Sequence, residues 1–340
     1  MDESTEQKCG PMSRKIAVVI PFYQRESGVL QRTVASVLKQ KNTCAPLVIV
    51  VDDESPVSAR AELATLFPTY AHQILLIEQK NGGAAAARNT GINHVPSDIA
   101  FVAFLDSDDE WTESHLKRAV WALENGFDFY FSDFYQLNQT VTAFNRAKRI
   151  NVSQHPRVHS IEPIHEFQGS MFDQILCGNI LGTSTVVYNV RKCPDLRYPL
   201  GFRHTGEEYI FWLHLARGSQ KIAFSSEPEC RYGAGVNIFA DSGWGTDKYL
   251  TILHDEVKWR KYVLSRFPVS YNQVAALKSR IRQSRANFAS GLVHNLIHNG
   301  AVKRQIIVDQ MMMDPFTVPA TFATAAKLAF HKIRERFVSV

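Results

Sequence analysis

Four carboxylates, three of them aspartates, stand at the end of an apolar run in the stretch FVAFLDSDDEW, residues 101–111. In an extended segment, side chains two positions apart project to the same side, which would bring Asp106 and Asp108 together. Two such carboxylates can share one Mg²⁺ or Mn²⁺ ion, and these ions keep coordination positions for phosphate oxygens. The pattern predicts a metal site for a ligand that carries a diphosphate. The alternative is that Asp106 or Ser107 only caps the helix that follows.

Short apolar strands and amphipathic helices alternate over the first part of the chain. The predicted strands cover residues 15–20, 47–52, 73–78, 99–106 and 127–134, and the predicted helices cover residues 28–40, 57–67, 83–95 and 113–125. Strands that alternate with helices across short connections form a mostly parallel sheet covered by helices. The sequence therefore predicts an α/β fold with a mostly parallel central sheet.

The pattern is less regular beyond residue 135. We predict a loop over 136–168, strands over 183–189 and 221–226, a helix over 207–218, and helical segments over 246–266, 271–299, 300–313 and the last residues of the chain. Because the character of the chain changes near residue 246, three regions are expected. They are a disordered tail at 1–13, an α/β domain at 14–245 and a helical C-terminal extension at 246–340.

Polar residues follow each of the first four predicted strands. The stretches are PFYQRE (21–26), DDES (52–55), QKNGGAAAARN (79–89) and DSDDEW (106–111). Ligands of open parallel sheets bind at the carboxyl ends of the strands, so these stretches are expected to form one site. No GxGxxG follows the first strand and no GxxxxGK[ST] occurs in the sequence, which argues against a dinucleotide site and a P-loop.

Charge and cysteine content limit the class of protein. Residues 251–340 hold 14 Lys and Arg against 5 Asp and Glu, whereas the rest of the chain is mildly acidic. The five cysteines have no CxxC spacing, which favours a reducing cytoplasm over a disulfide framework or a zinc site. We recognise no signal peptide, no apolar run of about 20 residues and no nucleic-acid-binding module.

Taken together, four motifs resemble the GT-A-fold inverting glycosyltransferases of family 2. They are VVIPFYQRE, VIVVDDESP, NGGAAAARNTGI and FLDSDDEW, in this order. A fifth, GEEYIFWLHL (206–215), is similar to the acidic segment that begins a helix in that family. The stretch 235–250 further resembles bacterial exopolysaccharide glucosyltransferases of the succinoglycan type. The resemblance implies a GT-A fold, Rossmann-like with a mostly parallel sheet.

The resemblance also implies roles for residues at the donor site. The expected donor-nucleotide residues are Pro21, Phe22, Tyr23, Arg25, Glu26, Asp53, Gly83, Arg88, Asp106 and Ser107. Asp53 would accept the uracil N3–H, which favours a UDP-sugar, and Arg88 would contact the base or a phosphate. Asp108 would hold the Mn²⁺ or Mg²⁺ ion, with Asp106 at the metal or the ribose.

A catalytic base is expected in the acidic pair Glu207 and Glu208. Glu208 is the positional match to the family's Asp, although the choice between the two stays open. A carboxylate there would deprotonate the acceptor hydroxyl as it attacks the anomeric carbon, which gives inversion in one displacement. The alternative is that both acids only complement the dipole at the start of the helix.

The acceptor and the partners are expected in the last third of the chain. Trp244 in DSGWGTDKY could stack on an acceptor sugar, with Asp241 and Lys248 in the same pocket, or it could anchor a loop in the core. His204 and His254 are possible third metal ligands, although the favoured alternative for each is a structural role or a place at the acceptor site. The segment AAKLAFHKIRERF can form a basic amphipathic helix for a membrane surface or a second subunit.

These features predict a metal-dependent inverting hexosyltransferase. It would move a hexose, glucose in the first instance, from a UDP-sugar to a lipid-linked oligosaccharide of a bacterial exopolysaccharide, at the inner face of the cytoplasmic membrane. Nucleic acid is not an expected partner. The alternatives are a metal-dependent nucleotidyltransferase, which would release pyrophosphate, and a non-catalytic protein that binds a sugar nucleotide.

Overall fold

The computed structural model of the chain describes residues 15–41, 45–202, 204–236, 242–298 and 302–338, with side chains as far as residue 330. The chain divides into two compact units. The first comprises Met1–Leu200 and Phe211–Val236, and the second comprises Gly201–Ile210 and Asn237–Val340. Residues 201–210 thus belong to the second unit, although we expected them in the α/β domain. The predicted tail at 1–13 lies outside the described residues.

The first unit contains nine strands and seven complete helices among its described residues. The strands are β1 (Ile16–Phe22), β2 (Leu47–Asp52), β3 (Ile74–Glu78), β4 (Phe101–Phe104), β5 (Glu110–Trp111), β6 (Phe129–Tyr135), β7 (Ile164–Glu166), β8 (Val187–Asn189) and β9 (Ile222–Arg231). The helices are α1 (Val29–Leu38), α2 (Ala59–Leu63), α3 (Phe67–Tyr70), α4 (Ala84–Asn93), α5 (His115–Glu124), α6 (Ala143–Ala147) and α7 (Met171–Cys177).

All nine strands belong to one sheet with the order β3-β2-β1-β4-β8-β6-β9-β5, and β7 pairs with β9. Parallel pairing joins β1 to β2 and β4, β2 to β3, and β6 to β9. Strand β8 runs antiparallel between β4 and β6. Every residue of β1 is buried, as expected for a central strand covered on both faces. The predicted mostly parallel α/β sheet is confirmed.

Close packing of α4 on β1 depends on a glycine. A Cβ added to Gly91 of α4 would lie 2.3 Å from Cγ1 of Val19, well inside van der Waals contact. The α4 helix can therefore approach the sheet only because residue 91 has no side chain. This approach fixes the N-terminal turn of α4 beside the carboxyl ends of the strands.

The second unit is helical. Helix α8 (Glu207–Gly218) starts in it and continues into the first unit, and α9 (Asp247–Arg266), α10 (Tyr271–Ile297), α11 (Arg304–Met313) and α12 (Thr317–Val338) follow. The N-cap side chain of Thr246 starts α9, and a capping box of Ser270 and Gln273 starts α10. The α9, α10 and α11 helices share an apolar cluster, Leu250, Leu253, Phe288, Leu292 and Ile306.

Most predicted elements match the structure, and the exceptions have local causes. The helix predicted over 57–67 is two short helices, because Pro68 lies in the first turn of α3, where a proline ring is tolerated, and cannot continue a preceding helix. The predicted loop 136–168 contains α6, a 3₁₀ turn at Val152–Gln154 and β7, and α7 was not predicted.

Among the helices that the structure describes, none is both long enough and apolar enough to cross a membrane.

Candidate active site

The carboxyl ends of β1, β2, β3 and β4 meet at one edge of the sheet, as their parallel pairing requires. At the end of β2, adjacent aspartates have separate tasks. Asp52 accepts hydrogen bonds from the backbone N–H groups of Ser55 (2.8 Å) and Ala59 (3.0 Å), so it caps the turn that leads into α2. Asp53 faces the loop that follows β3.

Asp53 holds the loop between β3 and α4. It is almost fully buried and accepts hydrogen bonds from Gln79 Nε2 (2.7 Å) and from the N–H groups of Gly82 (2.9 Å) and Gly83 (2.8 Å). Gly83 has φ +84°, a conformation that favours glycine, and stands directly before α4. The expected role of Asp53 with uracil stays a prediction, and the structure adds a role in loop anchoring.

Asp106–Asp109, here called the metal loop, follows β4 as a tight turn. The N–H of Asp109 donates to the carbonyl oxygen of Asp106 at 3.0 Å. The assumption that Asp106 and Asp108 lie in an extended segment is therefore wrong, because the chain must turn here to reach β5. The turn still keeps the carboxylates close, since the charge of Asp106 acts on Asp108.

Arg88 and Asp106 form the ion pair of this edge. Arg88 Nη2 donates to Asp106 Oδ1 at 2.6 Å, and its guanidinium lies over the ring of Tyr198. The Arg88 side chain is 4% exposed whereas that of Asp106 is 34% exposed. The buried arginine thus orients a carboxylate that remains open to solvent. The predicted contact of Arg88 with a base or phosphate stays a prediction.

The other members of the metal loop are held by neighbouring segments. Ser107 accepts from Gln24 Nε2 (3.0 Å), and Asp108 accepts from the N–H of Gly235 (2.9 Å). Asp109 accepts from Ser184 Oγ (2.5 Å) and from the N–H of Gly233 (2.9 Å). Because its carboxylate is buried against these donors, Asp109 supports the loop.

The electrostatics of the metal loop suit a cation. Burial raises the pKa of Asp108, and the nearby charge of Asp106 raises it further. Burial likewise raises the pKa of Asp109 well above its ordinary value. A divalent ion that keeps water and diphosphate ligands needs only one or two carboxylates, which Asp106 and Asp108 can supply. In the part of the chain that the structure describes, no cluster of three or more His, Cys, Asp or Glu residues is arranged for a metal.

The predicted nucleoside residues differ in exposure. Pro21 and Phe22 belong to β1 and are buried, with Phe22 in the main hydrophobic core. Phe22 therefore cannot line an open pocket, because its ring is enclosed by core side chains. Tyr23 is half-buried, and Arg25 and Glu26 are exposed beyond the end of β1.

Glu207 and Glu208 form the first turn of α8, in the second unit. Both are half-buried. The chain enters the helix through Gly206, whose φ of +114° favours glycine and whose Cβ would meet the ring of Phe202 at 2.7 Å. Tyr209 stacks on Trp259 of α9, which ties the helix start to the second unit. The assignment of the base stays a prediction.

The expected acceptor residues lie in the second unit, except that Asp241 lies outside the described residues. Trp244 is 53% exposed and packs its ring edge near Tyr249 and His294, so it is a surface residue and not a core anchor. Lys248 is half-buried in the first turn of α9. His254 is buried and hydrogen-bonded to Gln310, which indicates a structural role.

Sequence reasoning missed several residues that support the metal loop, among them Gln24, Ser184, Gly233 and Gly235. Ser184 binds the N–H of Asp106 (3.0 Å) through its hydroxyl, and its carbonyl accepts from Trp111 Nε1. These contacts join segments far apart in the chain, and only the glycine spacing in RYGAGVN could have drawn attention to one of them.

Two cavities of the first unit do not include the predicted site residues. One is lined by residues of β6, α6 and the stretch 149–180, and the other by residues 192–197 and His214. The candidate active site is therefore defined by the converging polar side chains at the sheet edge.

Comparison with solved structures shows the fold class. Staphylococcus aureus TarS 1-349 in complex with UDP-GlcNAc has a TM-score of 0.56 at 18% identity, over 90% of this chain and 81% of that one. The mannosyltransferase PcManGT of Pyrobaculum calidifontis, in complex with GDP-Man and Mn²⁺, has a TM-score of 0.54 at 14% identity, over 92% of this chain and 84% of that one. The fold and the sheet-edge site define a GT-A-type glycosyltransferase fold.

Sequence comparison gives the family. Residues 17–185 match glycosyl transferase family 2. The succinoglycan biosynthesis protein ExoW of Rhizobium meliloti is 34% identical over 241 residues, 66% of this chain and 70% of that protein. The chain therefore belongs to glycosyl transferase family 2 and is a glycosyltransferase, which excludes the nucleotidyltransferase alternative.

Other curated relatives extend or limit this similarity. The UDP-Glc:alpha-D-GlcNAc-diphosphoundecaprenol beta-1,3-glucosyltransferase WfgD of Escherichia coli is 30% identical over 213 residues, 62% of this chain and 73% of that protein. Glycosyltransferase GlyA of Streptococcus pneumoniae is 25% identical over 306 residues, which are 87% of this chain. The match spans only 42% of that relative's length.

Proposed function

We propose that this enzyme transfers a hexose, glucose in the first instance, from a UDP-sugar to a lipid-linked oligosaccharide during synthesis of a bacterial exopolysaccharide. The observation that carries the proposal is the metal loop at the sheet edge, where Arg88 orients Asp106 and the half-buried Asp108 lies beside it. The names of two relatives support the donor and the pathway class, one a succinoglycan protein and one a UDP-glucose-dependent enzyme.

The proposed chemistry is a single displacement. The acceptor oxygen forms a bond to the anomeric carbon as the bond from that carbon to the diphosphate oxygen breaks. Glu208 takes the proton of the acceptor hydroxyl, and UDP leaves with the diphosphate charge. Asp106 and Asp108 would hold Mn²⁺ or Mg²⁺, which when bound supplies charge neutralisation at the leaving diphosphate. Attack opposite the leaving group inverts the anomeric centre.

Donor and metal are tested by measuring product release. The purified chain is incubated with UDP-glucose, UDP-galactose or GDP-mannose and a synthetic undecaprenyl-diphosphate-linked GlcNAc, with Mn²⁺ or with EDTA. We expect UDP release and a β-linked product from UDP-glucose with Mn²⁺ only. UDP release that persists in EDTA would contradict the metal site, and GDP-mannose turnover alone would contradict the uridine donor. Binding of UDP without turnover of any of the three donors would contradict the proposed donor and acceptor.

We also propose that the helical second unit contacts the membrane surface at the inner face of the cytoplasmic membrane, where a lipid-linked acceptor resides. Its support is the basic excess of residues 251–340 and the exposure of Phe322 (73%) and Phe330 (69%) on α12. Flotation with phosphatidylglycerol vesicles, compared with phosphatidylcholine vesicles, tests this contact. A homodimer in solution that does not float would instead favour contact between two copies.

A further inference from the structure

The segment after β9 turns three backbone N–H groups toward the candidate active site. Gly233 donates to Asp109 Oδ1 (2.9 Å), Gly235 to Asp108 Oδ2 (2.9 Å) and Val236 to the Oε1 atom of Gln24 (3.0 Å). We call residues 233–236 with the Gln24 side chain the amide clasp. Two of its three N–H groups reach carboxylates of the metal loop.

Residues 233 and 235 of the clasp must be glycines because neither position has room for a side chain, and not because of their backbone conformation. A Cβ on Gly233 would lie 1.7 Å from the carbonyl oxygen of Asp108. A Cβ on Gly235 would lie 2.6 Å from Gln24 Nε2 and 2.7 Å from Asp108 Cβ. Neither glycine has a φ in the left-handed region. Any side chain here must displace the metal loop or the clasp.

Gln24 closes the clasp from the opposite side. Its side chain is buried, and its Nε2 donates to Ser107 Oγ at 3.0 Å while its Oε1 accepts from Val236. Its backbone is fixed to the end of β2 through Ser55, since each of the two residues donates to the other. One amide therefore joins β1, the metal loop and the segment after β9.

The clasp donates hydrogen bonds to two acids of the metal loop. Asp109 is buried and Asp108 is half-buried, and each receives one hydrogen bond from a clasp glycine. N–H donors to a carboxylate stabilise its charged form and fix its direction. The carboxylate of Asp108 is thus aimed by a backbone N–H, and among the described residues no lysine or arginine pairs with it to compete with a cation.

We infer that the amide clasp sets the metal affinity of the metal loop, with Gly235 and Gln24 as positioning residues for Asp108. This inference rests on the proposed metal-dependent function. Residues that orient metal ligands change metal affinity by about 10- to 100-fold when they are replaced. Gly235 acts through the space it leaves and the N–H it donates, and Gln24 acts through Ser107 and Val236.

The test is direct Mn²⁺ binding to the full chain by electron paramagnetic resonance titration, without donor or acceptor. We expect Gly235→Ala to weaken Mn²⁺ binding about 10- to 100-fold. The matched control is Gly243→Ala, since Gly243 also has an ordinary φ and its added Cβ would meet nothing within 4 Å. An affinity equal to wild type in Gly235→Ala would overturn the inference.

A second variant covers the case in which Gly235→Ala does not fold. Gln24→Met keeps the volume of the side chain and removes both hydrogen bonds, and we expect about 10-fold weaker Mn²⁺ binding. Its control is Gln40→Met, because Gln40 also bridges segments through Thr112 and Leu116 but does not contact the metal loop. A lower melting temperature with unchanged Mn²⁺ affinity would assign Gln24 to stability alone. Failure of the wild-type chain to bind Mn²⁺ would instead contradict the proposed function.

Discussion

Two groups of buried or half-buried acids in the first unit are compensated differently. Glu229 of β9 is fully buried and accepts hydrogen bonds from Arg118 Nη1 (2.9 Å), the Tyr130 hydroxyl (2.8 Å) and His115 Nδ1 (2.8 Å). We call these four residues the Glu229 cluster. In the metal loop, the described residues donate hydrogen bonds to Asp108 and Asp109 only from uncharged groups, which are backbone N–H groups and the Ser184 hydroxyl. The guanidinium of Arg88 pairs instead with Asp106.

The difference separates an acid whose charge is compensated by a neighbouring cation from acids whose charge the fold leaves disfavoured. In the Glu229 cluster the hydrogen bonds of Glu229 help to hold the pKa of Arg118 above its usual value despite burial, as expected of a satisfied pair. In the metal loop burial raises the pKa of Asp108 and Asp109, so their negative charge is disfavoured in the folded chain. A cation would remove that penalty. Carboxylates whose pKa is raised in this way are typical of functional sites.

The largest effect is expected from Asp108→Asn. Loss of a metal-holding carboxylate should lower glycosyl transfer about 10³-fold, because several kcal/mol of charge stabilisation in the transition state is lost. The unfolding free energy without metal should be equal to wild type or higher by about 1 kcal/mol, since a disfavoured buried charge is removed. Initial rates and urea denaturation in EDTA measure both quantities.

Asp108→Asn thus tests whether Asp108 contributes to glycosyl transfer and not to stability. Asp109→Asn is the matched control, because Asp109 is buried in the same turn but directs its carboxylate to Ser184 and Gly233. A large loss of stability in Asp108→Asn with rates near wild type would place Asp108 among the structural acids.

The next effect concerns the acids of α8. Glu208→Gln should lower the transfer rate about 10²- to 10⁴-fold, as loss of a general base does, with UDP binding unchanged. Glu207→Gln, one position earlier in the same helical turn, is the control and should retain most of the rate. The reverse outcome would assign the base to Glu207. Single-turnover rates and UDP titration separate the two effects.

Most of the fold could be predicted because its elements are local patterns. The buried run IAVVIPF of β1 and the motif order along the chain predicted the parallel sheet, and the comparisons confirmed the GT-A fold. The position of the metal loop was predicted from the spacing of its aspartates, but the turn that the loop forms was not predicted. A turn depends on where β5 must pair, and β5 pairs with β9, about 120 residues later in the chain.

The support of the site could not be predicted for the same reason. Gln24 and Val236 are 212 positions apart, and nothing local to either residue indicates the contact. Glu229 and His115 likewise meet only through the pairing of β9 with its neighbours. The residues that carry chemistry were readable as types and spacings, whereas the residues that hold them depend on three-dimensional packing.

Glu229→Gln tests the acid that is compensated by Arg118, and this substitution should destabilise the chain. Removing this charge leaves Arg118 without its most buried partner, and breaking such a pair costs about 3 kcal/mol. Mn²⁺ affinity should stay near that of wild type, because the cluster does not contact the metal loop carboxylates directly. Urea denaturation and Mn²⁺ titration measure the two effects. Glu227→Gln is the control, since Glu227 also binds Arg118 but is mostly exposed.

The smallest effect extends the comparison to a third buried acid, Asp314 in the second unit. It pairs with Arg285 (2.6 Å) and Lys261 (2.9 Å), and Thr317 lies beside it. Burial alone would raise the pKa of Asp314, but the hydrogen bonds from Arg285 and Lys261 outweigh it and the pKa is lowered. Asp314 is therefore a compensated acid, like Glu229 and unlike Asp108.

A lowered pKa fixes the sign of the pH dependence. Asp314 should contribute stability above its unfolded pKa near 4, and this contribution should fall as the pH drops through the lower folded pKa. Asp314→Asn should cost about 2 kcal/mol at pH 7, and the difference from wild type should shrink below pH 4. Urea denaturation at a series of pH values measures it, with Asp309→Asn on α11 as the control. If the difference in unfolding free energy between Asp314→Asn and wild type stays constant from pH 7 to pH 2, Asp314 acts by shape and not by charge. Of Glu229 and Asp314, only Glu229 would then be an example of an acid compensated by a neighbouring cation.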